Sequence, residues 1–219
     1  MPGIGFVSLL LFAGREKTRG YRGGRSGAVV VALAYCALLA LAALPQRMRV
    51  WRDGYTLFRQ MTREAPQYPA GHFNYAFELR RRGDTDGAAG EYRKAIVLDP
   101  DMALAYSNLG ALLQSRGELV EAESLYLKTI GLRPNYALAW NNLAIVRYKR
   151  GDGVGAVLAF RRAIELKPDD AGAAYNLGRV YQQAGIVESA AVMFERAYRL
   201  EPGNSQIRAS YEQTHGQRP

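Results

Sequence analysis

Residues 103–136 read ALAYSNLGALLQSRGELVEAESLYLKTIGLRPNY, and residues 137–170 read ALAWNNLAIVRYKRGDGVGAVLAFRRAIELKPDD. Laid over each other they place Leu109 on Leu143, Gly117 on Gly151, Ala122 on Ala156, Tyr126 on Phe160 and Pro134 on Pro168, always 34 residues apart. The register runs on in both directions. Pro66, Pro100, Pro134, Pro168 and Pro202 keep it, as do Gly83, Gly117, Gly151 and Gly185, Ala88, Ala122, Ala156 and Ala190, and the aromatics Phe58, Tyr92, Tyr126, Phe160 and Phe194. A fixed period of this length is the signature of stacked supersecondary units, none of which can bury its apolar face alone.

Each recurring residue has a physical task. Leu109, Leu143 and Leu177, with Tyr75 in the first unit, lie one turn from Tyr106, Trp140, Ala174 and His72, which makes one apolar stripe on a first helix. The glycines end that helix, where a left-handed residue is cheapest. The small alanines let a second helix approach closely, and the aromatics four residues later fill the space between units. Ala95, Ala163 and Ala197, with Thr129 in the second unit, keep the far end tight. The prolines stop the second helix and turn the chain.

Period and residue types together resemble the tetratricopeptide repeat family. The resemblance implies an all-α, right-handed solenoid of four full repeats, 69–102, 103–136, 137–170 and 171–204. A half repeat over 45–68 precedes them and a capping helix with its tail over 205–219 follows. In the half repeat Phe58 and Pro66 are in register, while Gly54 and Met61 stand where alanines recur; Asn204 and Ser205 are candidates to cap the last helix.

The formal charge of +9 is unevenly spread. Residues 1–66 hold 10 Lys/Arg against 3 Asp/Glu; residues 67–219 hold 19 against 17. The near-neutral repeats give no nucleic-acid footprint. The basic excess instead surrounds hydrophobic segments. Residues 27–44, GAVVVALAYCALLALAAL, carry no charge and at ~1.5 Å per residue span about 27 Å, the thickness of a bilayer core. A transmembrane helix is expected there, and membrane lipid is the partner it implies. A secretory signal peptide is the competing reading, although the run lies late and is long for one. IGFVSLLLFAG at 4–14 is too short to span and reads as part of a helix. The Gly-rich loop between them, 14–26, carries five basic residues. The positive-inside rule keeps such a loop cytoplasmic, so the repeats are expected outside the cytoplasm, in a periplasmic or lumenal space. Arg47, Arg49, Arg52, Arg59 and Arg63 follow the second run and weaken that asymmetry.

No phosphate-binding, nucleophile-elbow, metalloprotease or N-glycosylation motif occurs, and no cofactor is expected. Lone Cys36 builds neither a disulfide framework nor a metal site. His72 stands at a packing position and is read as structural. Asp84-Thr85-Asp86 has a metal-binding D-x-D form but follows Gly83, and is read as a turn and helix cap.

The candidate site is a row of asparagines, Asn74, Asn108, Asn142 and Asn176, at one place in all four repeats. Asn is a mediocre helix former, so four recurrences within helices need a reason. In the family the first helix lines a concave groove, and this row resembles the ladders of tetratricopeptide proteins that hold extended peptides. Each amide both donates and accepts, as a peptide backbone unit requires. The alternative is that each Asn bonds a neighbouring helix end or groove water. Neighbours on adjacent turns are Phe73, Phe77, Asn141, Ile145, Tyr175 and Arg179. Arg80, Arg81, Arg82, Arg147, Lys149 and Arg150 add charge that either favours acidic ligands or is simply solvated.

MPGIGFVSLLL, a basic loop, an apolar run and RVWRDGYTLFRQ leading into repeats also resemble the C-terminal part of transmembrane-and-tetratricopeptide proteins related to protein O-mannosyltransferases. There a Pro-x-x-Gly-Phe motif opens a late membrane helix and a Trp-x-Asp follows the last one, here Trp51-Arg52-Asp53. That resemblance implies a fragment or short reading frame, with the acidic catalytic loop of such enzymes absent and no catalytic residue to carry over. Two functions follow. One is a non-enzymatic, membrane-anchored scaffold binding peptide or protein segments. The other is the acceptor-binding portion of a membrane glycosyltransferase. For the topology, proteolysis of sealed spheroplasts should remove the repeats from outside while sparing the 14–26 loop; digestion of the repeats from the cytoplasmic face alone would refute the orientation.

Overall fold

The computed structural model describes residues 32–36, 38 and 53–215. Residues 32–36 and 38 are helical with exposed side chains. The rest of the expected 27–44 span, the 4–14 segment and the basic loop lie outside the described residues. Among the described residues no helix is long and apolar enough to cross a membrane.

From residue 54 onward the chain is a run of helices: α1 Gly54–Glu64, α2 Pro69–Arg81, α3 Thr85–Leu98, α4 Ala103–Ser115, α5 Leu119–Leu132, α6 Ala137–Lys149, α7 Gly153–Leu166, α8 Ala171–Gln183, α9 Val187–Leu200 and α10 Ser205–His215. No strand occurs among the described residues. Each helix packs on the next in sequence, and the pairs α2–α3, α4–α5, α6–α7 and α8–α9 pack most extensively. The result is an all-helical solenoid.

The turn within each pair is built the same way four times. Gly83, Gly117, Gly151 and Gly185 have φ of 84°, 81°, 85° and 75°, a conformation that a Cβ would strain. With the glycine so placed, its N–H reaches Arg80, Gln114, Tyr148 or Gln182, and the next N–H reaches Leu79, Leu113, Arg147 or Tyr181, at 2.9–3.1 Å. These Schellman bonds satisfy carbonyls left over at the helix end. Asp84 then accepts from Gly87 N and caps α3, as Asp152 caps α7 through Gly155 N. Asp84-Thr85-Asp86 is thus a capped turn, with Asp86 2.6 Å from Arg116.

Packing explains the remaining register. Ala88, Ala122, Ala156 and Ala190 are fully buried, as are Tyr92, Tyr126, Phe160 and Phe194. The Tyr126 and Phe194 rings press on the partner helix at Gly110 and Gly178, and the equivalent places in the first and third repeats hold Ala76 and Ala144, both fully buried. This set of small residues also keeps the 34-residue spacing, although its importance emerges only with the rings in place. The carbonyls of Pro66, Pro134, Pro168 and Pro202 accept from side chains. Trp140 Nε1 donates to Pro134 O at 2.8 Å, and His72 Nε2 makes the equivalent bond to Pro66 O at 2.9 Å. A carbonyl only accepts, so His72 carries its proton on Nε2 and stands in for the indole N–H. Its Nδ1 lies 2.6 Å from Glu91, so its role is structural. At the C-terminal end Asn204 Oδ1 accepts from Gln206 N and Ile207 N, starting α10.

A Cβ built on Gly178 would sit 2.8 Å from two carbons of the Phe194 ring, whereas one on Gly90 of α3 meets nothing within 4 Å. Gly178→Ala should therefore lower the melting temperature, its gain in helix propensity of ~1 kcal/mol outweighed by an overpacking cost of about 1–3 kcal/mol. Gly90→Ala should raise it by a few degrees. Thermal unfolding of the two variants by circular dichroism checks both.

Candidate functional site

Asn74, Asn108, Asn142 and Asn176 fall on α2, α4, α6 and α8, the first helices of the four pairs, and each is half-buried. Helix α6 touches both α4 and α8 as well as its own partner. At 100° per residue, each Asn shares a helix face with the residues one before, three after, and six or seven after it. That face carries Phe73, Phe77, Arg80 and Arg81 in the first repeat, and Ser107, Ala111, Gln114 and Ser115 in the second. In the third it carries Asn141, Ile145, Tyr148 and Lys149, and in the fourth Tyr175, Arg179, Gln182 and Gln183.

Phe73, Phe77, Asn141, Ile145, Tyr175 and Arg179 share this face by helical spacing. Phe73 and Tyr175 are anchored alike, their rings 5.8 Å from Tyr92 and 5.7 Å from Phe194. Ile145 packs against the core. Phe77 is 44% exposed, with the Arg80 guanidinium 5.4 Å from its ring centre. Asn141 has its side-chain oxygen buried without a partner. Gln114 and Tyr148 were not singled out from the sequence, yet they hold the same repeat place as Arg80 and Gln182, so the 34-residue register is the signal that finds them. Tyr148 donates to Gln183, joining the third repeat to the fourth.

The asparagines themselves differ. Asn108 Nδ2 donates back to Leu104 O at 2.9 Å in its own helix. Asn142 lies against the Tyr126 hydroxyl, which donates to Gln114 Oε1 at 2.9 Å. Burial holds the Tyr126 phenol well above its ordinary range, and the Asn142 contact draws it partly back. Among the described residues, neither the Asn74 nor the Asn176 amide has a hydrogen-bond partner in the protein.

The surrounding cations also sort into classes. Arg81 lies 2.9 Å from Glu78, Arg147 lies 2.9 Å from Glu123, and Arg150 pairs with Glu123 as well. Arg82 stands 4.0 Å over the Tyr55 ring. These are structural contacts. Arg80, Lys149 and Arg179 have no carboxylate partner among the described residues.

Tyr92 and Tyr126 occupy one repeat position, but the Tyr92 hydroxyl is buried without a partner. Burial raises its pKa, opposed by nearby Arg80. Tyr126→Phe should cost about 1 kcal/mol of stability, since it leaves Gln114 and Asn142 without that hydroxyl. Tyr92→Phe should be neutral or stabilising, as it removes an orphaned polar group. Denaturant titration of the two variants decides it, and equal losses would contradict the assignment.

Models of the TPR repeat match residues 78–117 and 146–185. Further tetratricopeptide repeat models match 102–133 and 171–204. Together these matches span more than half of the chain. No curated protein matches the chain in sequence. Among solved structures, the MamA protein is 26% identical over 68% of this chain and 81% of its own, with a TM-score of 0.63. YrrB, described as a TPR protein with an unusual peptide-binding site, is 22% identical over 73% of this chain and 82% of its own, also at 0.63. A MamA fragment from Desulfovibrio magneticus RS-1 is 19% identical over 76% of this chain and 97% of its own, at 0.66. The last two likenesses speak for the fold alone. The 34-residue register, four glycine-closed helix pairs and these matches agree: the chain belongs to the tetratricopeptide repeat family.

Proposed function

We propose that the asparagine-bearing face of α2, α4, α6 and α8 is a channel that holds an extended peptide or protein segment by its backbone, in a chain anchored to a membrane through residues 27–44. The observation that carries this reading is the state of the row. Asn74 and Asn176 sit in helices, where Asn is a poor choice, and neither amide is used by the protein. Asn108 and Asn142 keep part of their bonding capacity, since an amide offers two donors and a carbonyl. An extended segment presents one N–H and one C=O per residue, the complement of such a row. YrrB, of the same fold, is described as having a peptide-binding site.

Leu33 and Leu38, within the apolar run, are 66% and 65% exposed, which suits a lipid-facing helix. In this reading the repeats lie on the extracytoplasmic side, because the five basic residues of the 14–26 loop favour the cytoplasm. The second reading, an acceptor-binding portion of a membrane glycosyltransferase, is favoured by the Trp51-Arg52-Asp53 motif and the apolar and basic segments before it. Hydrophobic spans encoded in frame upstream of Met1 would support it, and a stop codon directly upstream would remove it.

Panning a randomised peptide library on the whole chain in mild detergent should select binders. Replacing Asn74 and Asn176 together by Ala should weaken the selected peptides by about 5- to 150-fold, from ~0.5–1.5 kcal/mol per contact. Thermal stability should hold or rise, because Ala is the better helix former. Undiminished affinity in the double variant, or no selected peptide at all, refutes the channel.

A further inference from the structure

Charge is segregated between the two helix sets. The first helices carry Arg80, Arg81, Arg147, Lys149 and Arg179 against a single acid, Glu78, which is buried. The second helices carry acids and bases in equal number: Asp86, Glu91, Glu121, Glu123, Glu165, Glu188 and Glu195 face Arg93, Lys94, Lys128, Arg161, Arg162, Arg196 and Arg199. The asparagine face therefore holds cations and no exposed carboxylate. Three of them, Arg80, Lys149 and Arg179, lack an ion-pair partner among the described residues, whereas the other two first-helix cations have one.

We infer that the occupant of the channel is an acidic segment, with carboxylates near each end and an apolar side chain at the first-repeat end; this rests on the peptide reading above. Arg80 is the anchor at that end. Its guanidinium lies over Phe77, whose exposed ring offers an apolar surface beside the charge. Guanidinium groups bind carboxylates bidentately, and stacking on a ring restricts the side chain beforehand. Arg179 and Lys149 form the anchor at the other end, next to Tyr175 and the unengaged Asn176. Arg80 and Arg179 are three repeats apart. Neighbouring first helices at roughly 10 Å spacing put the anchors on the order of 30 Å apart. An extended chain covers that in about nine residues.

A polyanion such as single-stranded RNA is the weaker match. It would need a row of cations along its backbone and faces for base stacking. The channel has cations at its ends and amides between.

In the library experiment the selected peptides should be enriched in Asp and Glu. Remaking a selected peptide with Gln for Glu should weaken it about tenfold or more at low salt, and the difference should shrink as salt screens the exposed charges. In the protein, Arg80→Gln with Arg179→Gln should shrink the difference between the Glu and Gln peptides about tenfold, whatever it does to the affinity of each, as a double-mutant cycle of protein and peptide reads it. Selected peptides without acidic enrichment, or equal binding of the Glu and Gln forms, would overturn the acidic assignment and leave the peptide channel standing. Binding of oligouridylate with no peptide selected would overturn both, and so would the absence of any binder.

Discussion

The whole array depends on the contact between a buried ring on each second helix and a small residue on its partner. Tyr92, Tyr126, Phe160 and Phe194 lose essentially all exposure, and they do so only because Ala or Gly lies opposite. Burying a ring of this size is worth about 2–3 kcal/mol, and the contact recurs in every unit. It also shapes the asparagine-bearing face. With the second helix held this closely, the outer part of each first helix is left free to present a face, and successive faces line up because successive contacts are alike.

The face is not uniform. The same ring position that builds the core also braces the first helices through Tyr126, whose buried hydroxyl engages Gln114 and Asn142. Asn142 is therefore tied into the scaffold, while the Asn74 and Asn176 amides have no hydrogen-bond partner among the described residues. The cations divide in the same way. Arg81, Arg82, Arg147 and Arg150 are tied to Glu78, the Tyr55 ring or Glu123, and Arg80, Lys149 and Arg179 have no carboxylate partner among the described residues.

Much of this was legible in the chain. Period, glycine turns, buried alanines and the asparagine row all come from local chemistry repeated at one spacing. What was not legible depends on neighbours distant in sequence. Nothing near Arg147 signals that Glu123 will neutralise it, and nothing near His72 signals that it substitutes for the Trp140 indole at a proline carbonyl. The small residues opposite the rings were present in the register, but Ala and Gly are too common in helices to stand out without the partner.

The first-repeat end of the array is built differently from the rest. Position 78 is Glu where the equivalent places hold Leu112, Val146 and Val180, all buried. Its Oε2 is buried in contact with Arg81 but without hydrogen-bond geometry. Helix α1, which covers this seam, has no fully buried residue. In a linear array stability is a sum of unit and nearest-neighbour terms, so a weak seam at one end means fraying from that end. Asn74, Phe77 and Arg80 lie in the unit next to that seam. On the peptide reading proposed above, a segment bound across this unit would draw on its folding and would hold the first repeat closed against the second.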